Sequence, residues 1–290
     1  MAELLQFLFS GLTVGATYAL VALGFAIIYN ASGVINFAQG EFVMVGGMAS
    51  AFLVAAGVPL PLALVVAVVA GVAIGAALAK FAIEPAHRAP VVTLIIITIG
   101  ASIVIRGVAQ VAFGKQFHTV PPFTGDDPIA VGGATLLPQS LWVMGASIAV
   151  VIGLRGFFGR TKLGKAMLAT ADNRLAAELV GINVRFILLL SFGLSALLGA
   201  VAGVLISPIT LTSFDVGIMV GLKGFAAAML GGLGNGIGAI AGGLLLGLAE
   251  ALGAGYLSSA YKDVIAFVVI LAVLVFMPGG LFGKASAERV

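Results

Sequence analysis

Residues 4–40 read LLQFLFSGLTVGATYALVALGFAIIYNASGVINFAQG, without one Asp, Glu, Lys, Arg or His. A helix needs about 20 apolar residues to cross the hydrocarbon core of a bilayer. The first part of this run is long enough, so a membrane helix is predicted at about Leu4–Tyr29. Tyr29-Asn30-Ala31-Ser32-Gly33 then interrupts it. The stretch differs from a secretory signal, because Glu3 precedes it where a basic n-region belongs and the apolar segment is too long. It reads as a retained membrane helix.

The rest of the chain repeats the pattern. Hydrophobic residues make up 61% and charged residues 9% of the 290 positions, and the mean hydropathy is +1.24. A soluble domain carries about 25% charged residues, so these apolar side chains must face lipid or each other. The 41 glycines lie within apolar runs, where small residues let helices approach closely. Further helices are predicted from Glu41 to about Ala56, on to Lys80, and at Pro90–Phe113, Gln139–Phe157, Phe186–Ile206, Val216–Leu233, Ile237–Gly255 and Val264–Met277. Residues 114–138, with Pro121-Pro122 and Asp126-Asp127-Pro128, read as an extramembrane loop. The fold class is all-α and polytopic, with about 8–9 membrane helices in one domain over residues 1–290.

Positive charge sets the orientation. If residues 158–185 are cytoplasmic, Lys80, Arg88, Arg155, Arg160, Lys162, Lys165, Arg174, Arg185, Lys284 and Arg289 lie inside. Lys115 and Lys262 lie outside. The C-terminus is then cytoplasmic, the N-terminus periplasmic and the 114–138 loop external.

Four groups of residues carry chemical interest. In GKAMLATADNRLAAELVGIN, residues 164–183, Thr170 or Asp172 is suited to N-cap a short helix. Arg174 and Glu178 are spaced i, i+4, and Gly181 suits the left-handed residue after a helix. Such a helix between two spans fits a groove on another protein or is an ordinary interfacial loop. Residues Asn30–Glu41 place Asn36, Phe37, Gln39 and Glu41 between two apolar helices. They form either a plain cytoplasmic turn or a kinked, re-entrant element beside a pathway, since irregular backbone at membrane depth must be buried in protein or line a cavity. Thr98 and Ser102 share one helix face and can bond another helix or a solute. Arg106, Lys223 and Glu250 are costly in lipid; Arg106 and Lys223 are expected to snorkel toward the external side, and Glu250 to lie near a helix end.

The sequence argues against several chemistries. It has no Cys and two His; His87 and His118 fall in loops on opposite sides, in no metal-ligand pattern. The glycines at 231–238 lack the Gly-Lys-Ser/Thr of a phosphate loop. No catalytic constellation is visible, and a net charge of +3 is no nucleic-acid signal.

Three segments resemble the permease subunits of bacterial branched-chain amino-acid ABC importers, in particular the shorter of the two permeases in the high-affinity leucine/isoleucine/valine system. They are GLTVGATYAL at 11–20 running into GVINFAQGE at 33–41; ADNRLAAELVGI at 171–182; and LGGLGN at 230–235 with MPGGLFG at 277–283. The resemblance implies an importer permease acting in the bacterial inner membrane, not an enzyme. Its ATPase-coupling residues would be Lys165, Asp172, Asn173, Arg174, Ala177, Glu178, Leu179 and Gly181. Its substrate pathway would involve Asn36, Phe37, Gln39, Glu41, Thr98 and Ser102. The implied partners are a second permease subunit, identical or homologous, two cytoplasmic ABC ATPases and a periplasmic binding protein. ATP and Mg would be held by the ATPases, and no cofactor by this chain. No charged clamp for an α-amino acid is apparent in the sequence, and a urea or short-amide cargo is the alternative. A gradient-driven transporter is a further alternative, and the scarcity of intramembrane carboxylates counts against it.

Overall fold

The computed structural model describes residues 2–86, 89–277 and 279–283. His87, Arg88, Pro278, Lys284 and Arg289 lie outside the described residues.

The apolar runs become helices with bounds close to those expected. They are α1 Ala2–Ser32, α2 Gln39–Ala55, α3 Leu60–Leu78, α4 Val91–Phe113, α5 Pro138–Arg160, α8 Val184–Ile206, α9 Val216–Gly231, α10 Gly236–Tyr256 and α11 Lys262–Phe276. The charged loop folds into α6 Lys162–Asp172 and α7 Arg174–Leu179. The loop at 114–138 contains a hairpin, β1 Ile129–Val131 paired with β2 Ala134–Leu136. Among the described residues, six helices are long and apolar enough to cross a membrane, while α2 and α9 are shorter apolar helices. The chain is thus a polytopic helical membrane protein.

Burial sorts the helices. Much of α1 is enclosed, with Leu20, Val21, Ala22 and Ile28 fully buried. By contrast α5 exposes Leu141, Trp142, Ile148 and Ile152. A helix apolar on every side belongs in a core or against lipid, and both cases occur here.

Lipid tails are as apolar as leucine, so these helices gain little by hiding apolar surface from one another; close packing of small residues holds them. The α1–α10 contact is built this way. A Cβ on Gly11 would lie 2.9 Å from the Leu248 Cα, and one on Gly15 would lie 3.0 Å from the Leu244 Cα. Gly243 and Gly247 lie against the backbones of Ala19 and Gly15. Gly40 of α2 meets Gly217 and Gly221 of α9 in the same manner.

The packing contains an inverted repeat. Helix α1 packs on α9 and α10, and α8 packs on α2 and α3; α2 lies on α3 as α9 lies on α10. The two sets run in opposite directions. Near the start of α1, Gln6 accepts from the Thr135 amide of the hairpin at 2.7 Å. Near its end, Asn30 donates to the Gly234 carbonyl at 2.7 Å. Helix α8 starts beside α7 and ends where Gln139 donates to the Leu205 carbonyl. Each set also contains a long helix, a break and a short helix, an arrangement that places sites at the repeat interface in transporters.

The glycine-rich segment ends one helix and starts the next. Gly232 and Gly234 have φ of 97° and 88°, conformations that favour glycine. Asn235 caps α10 by accepting from the Gly238 amide at 3.0 Å, and donates to the Phe282 carbonyl at 3.0 Å. The amides of Leu281 and Phe282 donate to the carbonyls of Leu230 and Gly231. The two glycine motifs quoted from the sequence therefore meet at one place.

Replacing Gly247 by Leu will overpack the α1–α10 crossing and cost about 1–3 kcal/mol, read as a lower melting midpoint in detergent. Gly100→Ala, where the added methyl meets nothing within 4 Å, will leave that midpoint unchanged or slightly raised.

Candidate functional site

The break between α1 and α2 is buried. Asn36 and Gln39 have no exposed surface and Glu41 is 2% exposed, so the plain cytoplasmic turn is not what forms; the segment folds back into the protein. Its amides find partners inside. The Gly33 amide donates to the Tyr29 carbonyl at 2.7 Å and the Gln39 amide to the Asn36 carbonyl at 3.1 Å. The Ala38 amide donates to Asn36 Oδ1, and the Phe37 amide reaches across to Thr98 Oγ1 at 3.2 Å. Helix α2 begins at Gln39, so Glu41 is in its first turn rather than ahead of it. Buried irregular backbone survives only with such pairing.

The six pathway residues named from sequence divide into two groups. Asn36, Gln39 and Thr98 hold the break. Gln39 Nε2 donates to the Ser195 carbonyl at 3.1 Å, and Ser195 Oγ shares its proton between Gln39 Oε1 and the Gly24 carbonyl. Thr98 donates to the Ile95 carbonyl at 2.8 Å while accepting from Phe37. The other three, Phe37, Glu41 and Ser102, line a cavity of about 160 Å³ together with Phe25, Arg106 and Phe225. Ser102 Oγ donates to Glu41 Oε1 at 2.7 Å. Glu41 Oε2 is buried and has no hydrogen-bond partner among the described residues. Gly217 and Gly221 form the facing wall, so the cavity sits where the short helices of the two repeats cross.

Arg106, which the sequence marked only as a costly cation expected to snorkel, is half-buried and lines this cavity. It lies one turn from Ser102 on α4, an i, i+4 spacing that was legible, but nothing in the sequence indicates that this face meets Glu41. The pair of opposite charges on one cavity is a feature the sequence did not reveal.

Lys223 differs from the snorkelling expected of it. It is 5% exposed, two turns inside α9, with Nζ 2.8 Å from Glu250 Oε1 and 2.6 Å from Asp263 Oδ1. Tyr18 donates to Glu250 Oε2 at 2.8 Å, and the ammonium stands 5.6 Å from the Tyr18 ring centre. This cluster ties α1, α9, α10 and α11 together. A charge inside a membrane protein is stable only with such partners.

The charged loop folds as two capped helices. Thr161 caps α6 by accepting from the Gly164 amide at 2.9 Å. Asn173, rather than Thr170 or Asp172, caps α7 by accepting from the Ala176 amide at 3.0 Å. Thr170 instead donates to the Ala166 carbonyl. At the far end Gly181 adopts φ of 89°. Its amide donates to the Glu178 carbonyl and that of Ile182 to the Ala177 carbonyl, the paired bonds of a Schellman ending. Arg174 Nε and Glu178 Oε1 are 3.7 Å apart. Ala177 is buried; Lys165, Asp172, Asn173, Arg174, Glu178, Leu179 and Gly181 are exposed. Leu175, Leu179 and Val180 are 67%, 80% and 77% exposed, an apolar face left uncovered by the described residues.

The comparisons with known proteins agree with this architecture. The family described as "Branched-chain amino acid transport system / permease component" matches residues 7–274. The chain belongs to this permease family. It is 35% identical to the high-affinity branched-chain amino acid transport system permease protein LivH of Salmonella typhimurium, over 99% of this chain and 97% of that one. It is 34% identical to the corresponding permease protein BraD of Pseudomonas aeruginosa, over 99% and 98%. Among solved structures, PsaBC from Streptococcus pneumoniae in complex with Fab aligns with a TM-score of 0.50 at 17% identity, covering 92% of this chain and 91% of that chain. That likeness concerns the fold alone.

Removing Lys223 from the buried cluster of this permease leaves carboxylates without their counter-charge, a loss of about 3–5 kcal/mol when a buried pair is broken. Lys223→Met will therefore lower the melting midpoint sharply. Adding Glu250→Gln will recover part of the loss, and the non-additivity of the double variant measures the coupling.

Proposed function

We propose that this chain is the membrane-spanning permease subunit of an ATP-driven importer that carries branched-chain amino acids inward across a bacterial inner membrane. The observation that carries the reading is the full-length similarity to high-affinity branched-chain permeases, 35% identical over 99% of the chain. The inverted repeat and its central cavity support it. Transporters of several kinds place cargo at such a midplane crossing.

The chain crosses the membrane nine times in this proposal, counting α1 to α5 and α8 to α11. Gln6, the hairpin and Lys115 lie on the external side. Helices α6 and α7 lie inside with Lys80, Arg155, Arg160, Lys162, Lys165, Arg174 and Arg185. That excess of positive charge beside the α6–α7 loop supports the orientation. The periplasmic N-terminus and cytoplasmic C-terminus follow from it.

Helices α6 and α7 are the coupling segment in this reading. The exposed Leu175, Leu179 and Val180 offer an apolar knob, and the caps hold it rigidly at the membrane face. Two cytoplasmic ATPases would receive it, one on each of two permease subunits, and would bind ATP and Mg. A periplasmic binding protein would deliver cargo to the external side. Coupling requires that nucleotide and loaded binding protein favour different arrangements of the helices.

Two measurements test the proposal. The assembly of permease, ATPases and binding protein, placed in proteoliposomes, will accumulate leucine only with ATP; no ATP-dependent uptake would count against the importer reading. Glu178→Lys and Leu179→Asp will reduce co-purification of the ATPases several-fold. The exposed Arg174–Glu178 pair contributes only about 0.3–0.5 kcal/mol to its helix, so such a loss reports a partner surface rather than an unfolded α7. Full co-purification and full transport by both variants would remove the docking assignment.

A further inference from the structure

We infer that the cavity between α2, α4 and α9 is a two-ended receptor for an aliphatic α-amino acid zwitterion, with Glu41 taking the ammonium, Arg106 the carboxylate, and Phe25, Phe37 and Phe225 the side chain.

The acidic end rests on an unmet bonding requirement. Glu41 is 2% exposed. Ser102 satisfies one of its oxygens at 2.7 Å, and the other is buried without a partner. A buried polar atom left unpaired is costly, more so when it carries charge. Glu41 and Gly217 both line the cavity, and the unpaired oxygen lies against Gly217, where an added Cβ would come within 2.8 Å of it. An ammonium group entering the cavity supplies the missing donor, and a charge-assisted hydrogen bond is among the strong ones.

The basic end is Arg106. It lines the same cavity and takes part in no ion pair with another described residue. Ser102 and Arg106 are one turn apart on α4, about 6 Å along its axis. Ser102 anchors Glu41, and no direct ion pair joins Glu41 to Arg106. A guanidinium offers parallel N–H donors that match a carboxylate.

Between the ends the wall is aromatic. The Phe225 ring centre lies 5.6 Å from that of Phe25 and 5.8 Å from that of Phe37. The cavity volume is about 160 Å³. This is below the roughly 300–1,000 Å³ of drug-sized pockets and suits a short branched side chain.

Charge balance favours this occupant over urea or a simple amide. Glu41 and Arg106 together carry no net charge, and neither does a zwitterion. Entry and release therefore leave the net charge of the cavity unchanged, and a zwitterion offers each of the two groups an opposite charge that a neutral amide lacks.

The inference depends on the importer reading for its cargo, and the experiment separates the two. In proteoliposomes holding permease, ATPases and binding protein, wild type establishes ATP-driven leucine uptake; its absence is a failure of the importer reading. With wild type active, Glu41→Gln and Arg106→Gln, checked for normal ATPase co-purification, will each lower leucine uptake about tenfold or more. Unchanged uptake in either variant overturns the two-ended receptor.

A second arm uses no variant and omits the binding protein, whose own selectivity would intrude. The permease–ATPase assembly is photolabelled with a diazirine analogue of leucine and digested. Label is expected on the segments around Phe25, Phe37 and Phe225. Excess leucine will abolish it; leucinamide, lacking the carboxylate, and 4-methylpentanoate, lacking the ammonium, will not. Label confined to other segments, no label at all, or equal competition by all three compounds refutes the assignment even where the variants fail to assemble.

Discussion

Inside a bilayer no water is available to satisfy a backbone amide or carbonyl, and the whole structure depends on that constraint. Helices meet it along their length. Wherever the chain stops being helical at depth, the protein itself must provide the partners. The buried turn between α1 and α2 is such a place, and it draws partners from its own Asn36 and from Thr98 on α4. Gln39, Ser195 and the Gly24 carbonyl then lock the start of α2 against α1 and α8. A break in one helix thus determines how three others are arranged around it.

The same constraint explains the two kinds of charge at membrane depth. Lys223 is fully engaged, with Glu250 and Asp263 as counter-charges and Tyr18 beside them. Such a cluster joins four helices around one ammonium with two carboxylate counter-charges. Glu41 is different. One oxygen is held by Ser102 and the other is left unpaired beside a cavity. The first arrangement has the character of a structural tie and the second of a receptor. Glycine contacts make room for both: the small helices α2 and α9 can cross closely only because Gly40, Gly217 and Gly221 carry no side chain.

The helices were legible because membrane crossing requires length and apolarity, both local properties of sequence. The segments at 91–113, 138–160 and 184–206 were read within a few residues of their bounds for that reason. The α6–α7 loop was legible because caps and left-handed glycines have local signatures, although Asn173 and not its neighbours provides the cap. Phe37, Glu41 and Ser102 were singled out as polar or aromatic residues at a break or on one face. Their meeting was not legible, since Glu41 and Ser102 are separated by 61 residues along the chain.

Sequence alone determined a helical protein that crosses the membrane repeatedly, because 61% hydrophobic and 9% charged residues cannot cover a water-facing surface. Its quoted motifs also indicated the permease family. Only the tertiary structure decided which polar residues are partners. It buried Lys223 instead of letting it snorkel, turned Gln39 and Thr98 into supports for a break, and brought Arg106 to the cavity of Glu41. The physical reason is that electrostatic and hydrogen-bond pairing depends on distance in space, and helix packing, not chain order, sets that distance.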